Sequence, residues 1–379
     1  MSSSHSARPG ALSADTMQRQ LAPFPGYRAS PAAPARLFDA EVRALWGGML
    51  TPMMAGTEVQ GRFAQAALAC PPTACTGAIA LSVGATSQPW RNPSAIENLF
   101  CAEGSVEVAC GPALADTVTL GPWDMLSIPA GVRHRLRNAG ASNARLISVL
   151  SIPAEGRYDA VFDAAAAAGI GETARAGLGV AFDSDPGEAI DAAALAARTT
   201  RFAALVPYKK DLNRTGGLPL EATMRLSAGS VFPLIVPEGH IGRSRTAPMH
   251  GNQGLYMSIA ECTAGDDGPP PHAHSDTQES FFVLDGGFDI CTGFDNESVV
   301  AARPNDLFAA PKEVMRTFRN TSGQAARLLV IIQGPDRMQD TVSFSRRIGD
   351  EFRALFGEDI IAKYADIRMT FDAEQRLGV

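Results

Sequence analysis

The feature that most constrains this sequence is an internal repeat held in one register. Glu97 recurs as Glu279, Gly104 as Gly286, Asp124 as Asp306, Pro129 as Pro311 and Asn138 as Asn320. The triplet Ala144-Arg145-Leu146 recurs as Ala326-Arg327-Leu328, and Pro153 as Pro335, with no gap needed between any of these points. Turn and strand-end residues matching at this spacing imply two copies of one structural unit. Short apolar runs lie between the glycines and prolines, among them Ala78–Val83, Ile96–Phe100, Leu126–Ile128 and Leu328–Ile332. That rhythm predicts short strands joined by turns, so the expected class is all-β with two tandem domains. Helix is expected in few places: near Leu37–Leu50, over Tyr158–Ala168 and Gly187–Ala197, and over Phe344–Tyr364, where Ile348, Phe352, Leu355 and Phe356 share one face.

The repeat divides the chain as follows. Residues 1–35, rich in Ser, Ala and Pro, read as a flexible N-terminal arm. Residues 36–155 form the first copy, 156–200 a helical connection, 201–340 the second copy, and 341–379 a helical tail. A chain of 379 residues is long enough for each copy to bury its own core. The formal net charge of -7 argues against nucleic acid or an anionic membrane as partner. No apolar run is long enough to span a bilayer, and Met1–Gly10 lacks the apolar core of a secretory signal. The six cysteines, without a CxxC pair, read as reduced buried thiols, which places the protein by default in the cytoplasm.

The chemistry-bearing pattern lies in the second copy. Gly268-Pro269-Pro270-Pro271-His272-Ala273-His274 is followed, four residues on, by Glu279, and six residues after that by Gly286. In the first copy Pro129-Ala130-Gly131 leads to His134 and then Asn138. These two patterns resemble the two motifs of the cupin family, over roughly residues 75–153 and 255–335. The resemblance implies a bicupin: two double-stranded β-helix, or jelly-roll, domains with a metal inside the barrel. On a strand, His272 and His274 present both imidazoles to one face, and Glu279 can reach the same point from the next strand. Two imidazoles and a carboxylate suit one divalent transition metal, with Fe(II) favoured and Mn, Ni, Zn or Co as options, and they leave coordination positions open.

The second copy departs from the family pattern at Arg316, where the second motif's histidine, usually a further ligand, is expected; the Gly of PxG is Glu313. No histidine follows His274, and a guanidinium does not ligate metals. Three readings follow. The metal is held by His272, His274 and Glu279 alone, which is the favoured one; His250 or His240 adds a further ligand; or the site has lost its metal. A buried Arg316 must be paired, either with Glu279 or Glu313, or with a substrate carboxylate or enolate that it grips in a bidentate manner. The first copy has Trp90 and Asn92 where the second has its histidines, so Glu97 and His134 make a degenerate site, expected to be a hydrogen-bonded pair with Trp90 filling the vacated volume.

Among bicupins the resemblance runs to ring-cleaving dioxygenases of the gentisate and salicylate type and to flavonol dioxygenases. The expected function is thus a non-haem iron-type dioxygenase acting on a small anionic substrate, an aromatic carboxylate or an enol. The gentisate group is expected to carry its metal-binding histidines in the N-terminal cupin, which here lacks them. The alternatives are a metal-dependent decarboxylase, hydrolase or isomerase, and a non-catalytic small-molecule-binding cupin. The partners expected are a small-molecule substrate and further copies of the chain in a homo-oligomer.

Overall fold

The protein was analysed as a computed structural model, which describes residues 9–24, 27, 30–151, 158–207, 218–241, 244, 247–251, 254–334 and 340–379. Pro153 and Pro335 of the repeat lie outside the described residues. The chain forms two compact units, Tyr27–Leu205 and a second built from Met1–Gly26 together with Val206–Val379.

Each unit is a pair of antiparallel-dominated sheets. In the first, a seven-stranded sheet runs in the order Thr199–Thr200, Met125–Ile128, Ile96–Glu103, Ala144–Ser151, Ala74–Leu81, Met49–Ala55, Leu68–Ala69. Its companion of six strands runs Val180–Asp183, Ala160–Asp163, Trp90–Arg91, His134–Asn138, Val106–Cys110, Asp116–Leu120. The second unit repeats this plan strand for strand. Ile96–Glu103 recurs as Gln278–Asp285, Val106–Cys110 as Phe288–Thr292, Met125–Ile128 as Leu307–Ala310, His134–Asn138 as Arg316–Asn320 and Ala144–Ser151 as Ala326–Gln333. These are the strands that the sequence repeat spans. The opening strands Met49–Ala55 and Ala74–Leu81 recur as Ser230–Val236 and Leu255–Cys262, one residue short of that register, so the second copy carries one extra residue before His272.

Side chains that alternate inward from both sheets build each core. Leu99, Cys101, Val106, Val108, Leu146 and Leu150 are buried in the first unit. Phe281, Val283, Phe288, Ile290, Phe308 and Phe318 take that role in the second, where the rings of Phe281 and Phe288 meet Phe318 edge-on. Gly104 and Gly286 show why the repeat keeps glycine at one turn. Both have φ near +75°, and a Cβ would lie 2.8 Å from Ala144 Cα in one copy and 2.4 Å from Ala326 Cβ in the other. All six cysteines are free, and burial raises the Cys101 and Cys110 thiols to about 12, so they are inert at neutral pH. No helix among the described residues is long and apolar enough to cross a membrane.

Several sequence-based boundaries are corrected. Tyr158–Ala168 is not a helix: Ala160–Asp163 is a strand paired with Trp90–Arg91 and Val180–Asp183, followed by a single 3-10 turn at Ala164–Ala167. The buried Phe162, packed edge-on against Trp46, holds that segment in the sheet despite its alanine-rich sequel. Within the expected connection of residues 156–200, Ala160–Asp163, Val180–Asp183 and Thr199–Thr200 add strands to the first barrel, with the short helices Glu172–Leu178 and Ala192–Ala197 between them. In the same way Val342–Phe344 and Met369–Thr370 add strands to the second barrel. The tail helix is broken at Gly357 into Arg346–Phe356 and Asp359–Ala365.

The expected N-terminal arm is also structured in part. Ala14–Arg19 is a helix capped by Ser13, and Leu21–Ala22 pairs with Leu307–Ala310 at the edge of the second unit's larger sheet. The backbone N–H of Phe24 donates to Asp306 Oδ1 at 2.7 Å. In the first unit the same edge is closed by helix Ala192–Ala197 and strand Thr199–Thr200, with the Phe202 N–H donating to Asp124 Oδ1 at 3.0 Å. Asp124 and Asp306 thus recur because each anchors an edge segment. Each segment stands in the chain ahead of one repeat and closes the sheet of the other.

Candidate metal centre

In the second unit the strand His272–His274 pairs on one side with Arg316, opposite His272, and on the other with Val342–Phe344. His272 and His274 point to one face, their ring centroids 5.4 Å apart. Glu279 reaches them from the other sheet, on strand Gln278–Asp285. One ligand atom from each of the three falls within 4.8 Å of the others. Both Nε2 atoms face the same carboxylate oxygen: Glu279 Oε2 is 3.5 Å from His272 and 3.6 Å from His274.

The imidazoles are held from behind. His272 Nδ1 lies 3.0 Å from the Pro270 carbonyl, which can only accept, so the proton belongs on Nδ1 and Nε2 is the open donor. His274 Nδ1 meets the carboxylate of Asp340 and, at 2.9 Å, Thr277 Oγ1. Asp340 is in turn fixed by Thr277 Oγ1 at 2.7 Å and by the Asp276 N–H at 2.9 Å. A histidine whose far nitrogen is anchored by a carbonyl or carboxylate is the arrangement that orients metal ligands. Burial lowers the His272 pKa, Arg316 and His274 lower it further, and nearby Glu279 only partly opposes them. For Glu279 burial acts upward, but His272, His274 and Arg316 outweigh it and hold the carboxyl at about 2. Both groups are therefore in their ligating forms at neutral pH.

The donors fit a divalent ion. Glu279 Oε2 is a buried oxygen with no aligned hydrogen-bond donor among the described residues. Two open imidazole nitrogens and one ionised carboxylate surround the point it faces, and the set is the hard-to-borderline one that first-row divalent ions take. Asp340→Asn is accordingly expected to weaken metal binding by about 10–100-fold while leaving the three ligands in place. Competition with a metallochromic chelator measures this.

Arg316 is fully buried. Its Nε lies 3.2 Å from Glu279 Oε2, and its Nη1 donates to the carbonyls of Val314 at 3.0 Å and His272 at 3.3 Å. Among the described residues it is not part of the cavity wall, and its guanidinium meets Glu279 and the backbone, the first of the two pairings expected for it. The ligand oxygen and the arginine share one point, which places a fixed positive charge beside any bound ion. His250 is exposed on the two-residue edge strand Met249–His250 and does not join the cluster, because that strand pairs with Ile235–Val236 at the far edge of the sheet. His240 instead lines the cavity, its ring 6.0 Å from that of Tyr256.

That cavity, about 530 Å³, opens directly on the cluster, with His272, His274 and Glu279 in its wall. Its other walls are largely apolar, including Val330, Ile332, Val342 and Phe344. Asp340 and Thr277 were not singled out from the sequence. The signal that could have found them is that the repeat places Tyr158 and Ala95 at their positions in the first copy, so polarity appears only where the histidines do.

The first unit is the chemical contrast. Trp90 and Asn92 occupy the histidine positions; Trp90 is fully buried with its ring 4.1 Å from that of His134. Glu97 accepts from Ser148 Oγ and Asn92 Nδ2, both at 2.6 Å, and lies 3.2 Å from His134 Nε2. The Asn92 Oδ1 accepts from Arg62 at 2.7 Å, and the buried Arg62 guanidinium lies over the rings of Trp46 and Phe63. Glu97 is thus engaged by Asn92 and Ser148 with His134 beside it, and it belongs to no metal-type cluster among the described residues.

Two units of one all-β plan, one bearing a two-histidine, one-carboxylate cluster inside its barrel, define a tandem jelly-roll protein. A family model described as the cupin domain matches residues 78–150 and 259–332, and the chain is a bicupin. No curated protein matches it. Similar solved structures include oxalate decarboxylase from Bacillus subtilis, 14% identical, covering 71% of this chain and 70% of that one with a TM-score of 0.43. A variant of salicylate 1,2-dioxygenase from Pseudoaminobacter salicylatoxidans is 14% identical, with 69% and 70% covered and a TM-score of 0.42. The vicilin of Capsicum annuum, 12% identical, covers 81% and 86% with a TM-score of 0.47. At such identities the likeness concerns the fold alone.

Proposed function

We propose that the second barrel is a metal-dependent enzyme site, with His272, His274 and Glu279 holding one divalent ion, Fe(II) favoured, and that it acts as a dioxygenase on a small anionic substrate. The observation that carries this reading is the convergence of three open donor atoms, two of them anchored from behind, at the wall of a cavity large enough for a small organic molecule. Such an ion, when bound through three protein ligands, supplies open positions at which a chelating substrate and dioxygen meet. The chain's own residues do the rest. Asp340 and Thr277 fix the His274 ring, the Pro270 carbonyl fixes His272, and the apolar wall excludes water from the reacting face.

A second reading is a metal-free binding cupin. It is favoured by Arg316, which already provides Glu279 with a cation. Elemental analysis of anaerobically purified protein, followed by oxygen-uptake measurements with aromatic carboxylates and 1,3-diketones, tests both. One equivalent of iron and substrate-dependent oxygen consumption are expected. Full metal with no oxygen use points to Lewis-acid chemistry on the same ligands, and a chain that takes up no ion when titrated with Fe(II), Mn(II) or Zn(II) overturns the metal reading.

A further inference from the structure

We propose that Ser258 recognises an uncharged oxygen, a hydroxyl or a carbonyl, at the end of the substrate remote from the metal centre, and that the body between the two ends is apolar. The inference rests on the reading of the cavity as a substrate site and adds to it the group that orients the molecule inside. Strand Leu255–Cys262 alternates into the cavity: Tyr256, Ser258 and Ala260 line it, whereas Met257 and Ile259 do not. Ser258 is buried, its side chain faces that space, and no hydrogen bond reaches its hydroxyl among the described residues. The other polar side chains of the wall are engaged or exposed. Ser227 Oγ donates to the Thr223 carbonyl at 2.7 Å, the Ser244 and Tyr256 hydroxyls lie 2.8 Å apart, and Asp340 holds His274. His240 and Arg368 have partners of their own, and Glu238 is exposed. Apart from the three metal-type donors, Ser258 is thus the one buried polar side chain in the wall without a partner among the described residues.

Sheet register fixes where that hydroxyl stands. Ser258 lies opposite Val330 and Val330 opposite Phe281, while Tyr256, Ile332 and Glu279 make up the neighbouring inward row. Ser258 is therefore two strands across and one inward row away from Glu279, roughly 12 Å between backbones. Val330, Ile332, Ala260 and Phe318 line the same cavity and give that end an apolar surface. A charge brought there would lose its hydration without a counter-ion, whereas a neutral oxygen gives up water bonds that one hydroxyl replaces. A serine both donates and accepts, so it serves a hydroxyl or a carbonyl alike. The first unit carries an independent sign. Gly77 stands at the equivalent position of strand Ala74–Leu81, and a Cβ there would lie 2.8 Å from Phe63 Cε1. The serine of that row is instead Ser148, on the next strand, and it donates to Glu97. The barrel without a metal-type cluster thus has a ring against this position, and the barrel with the cluster has an unengaged hydroxyl facing open space.

The test uses the full-length protein loaded with Zn(II), which ligates a probe without oxidising it, and two isosteric probe pairs titrated calorimetrically: 8-hydroxyoctanoate with nonanoate, and 4-(hydroxymethyl)benzoate with 4-ethylbenzoate. In at least one pair the wild type is expected to bind the hydroxylated member no more weakly than its isostere, although the hydroxyl is the better hydrated of the two. Ser258→Ala should shift that ratio about five-fold or more toward the apolar member with its Tm little changed, and Ser258→Thr, which keeps the oxygen, should hold the wild-type ratio. A serine that served packing alone would move Tm and leave the ratio where it was. Ser258→Cys, of similar shape with a weaker donor, carries the comparison should the alanine variant fail to fold. A ratio unaltered in the folded variants, a wild type that prefers the apolar member of both pairs, or no binding of any probe overturns the proposal. Metal content of the same samples separates the two claims. A metal-loaded protein whose ratio ignores Ser258 rejects this inference alone, whereas a protein that takes up no ion rejects the metal centre, and the ratios read on it still decide the role of Ser258.

Discussion

Glu279→Ala is expected to empty the metal centre and to destabilise the second barrel at the same time. Two imidazoles without the carboxylate do not make a three-ligand set, so metal content should fall to background in elemental analysis. The same change leaves Arg316, fully buried, with two backbone carbonyls and, as anion, only the Asp340 carboxylate that already serves His274. Breaking a buried ion pair from one side typically costs about 3–5 kcal/mol, visible as a lowered denaturant midpoint. The double variant Glu279→Ala with Arg316→Met should recover most of the stability, because the uncompensated charge is gone, and none of the metal. If the single variant keeps its metal, Glu279 is not a ligand. If the double variant is no more stable than the single one, the Arg316–Glu279 pairing is not what holds that interior together.

The matching change in the first barrel, Glu97→Ala, is expected to cost a similar amount, about 3–5 kcal/mol, with metal content untouched. It removes the acceptor of Ser148, Asn92 and the neighbouring His134, and leaves Arg62 buried beside a single amide oxygen. A pH dependence accompanies it. Burial acts to raise the Glu97 pKa, but His134, Arg62 and Ser148 prevail and hold it at about 2, below the ordinary 4.5. A carboxyl depressed in the folded state stabilises the fold at pH values above 4.5 and loses that contribution as pH falls from there towards 2. Glu97→Gln should therefore flatten the decline of stability over that acid range in urea unfolding. An unchanged acid profile would mean that Glu97 is not held ionised by its surroundings.

The repeat was legible in the sequence because turns and strand ends depend on local chemistry. Gly104 and Gly286 must be glycine for steric reasons, and Asp124 and Asp306 recur because each accepts a backbone N–H. The two histidines were legible because a spacing of two on a strand fixes a shared face, and Glu279 through its place in the motif that resembles the cupin family's. What lay beyond reach was decided by distance in the chain. Asp340 supports His274 from a strand-to-strand connection that no local pattern ties to the histidines. Arg316 could be placed inside the barrel from its register, but whether it faced ligand or substrate depended on which side of Glu279 it approached. The alanine-rich stretch after Tyr158 read as helix because propensity is local, whereas the pairing of Ala160–Asp163 with Trp90–Arg91 is not.

The exchanged edge segments bear on how this gene product can be divided. A fragment beginning at Val206 would contain every donor of the centre yet lack Ala14–Arg19 and Leu21–Ala22, exposing Leu307–Ala310 as an open sheet edge. The opposite fragment, cut off before Ala192, would lose its own closing strand in the same way. The second unit is thus unfinished without a segment encoded ahead of the first, whereas Tyr27–Leu205 carries its own closing strand, so the barrel that holds the histidine pair cannot be cut free at Val206 without opening its sheet.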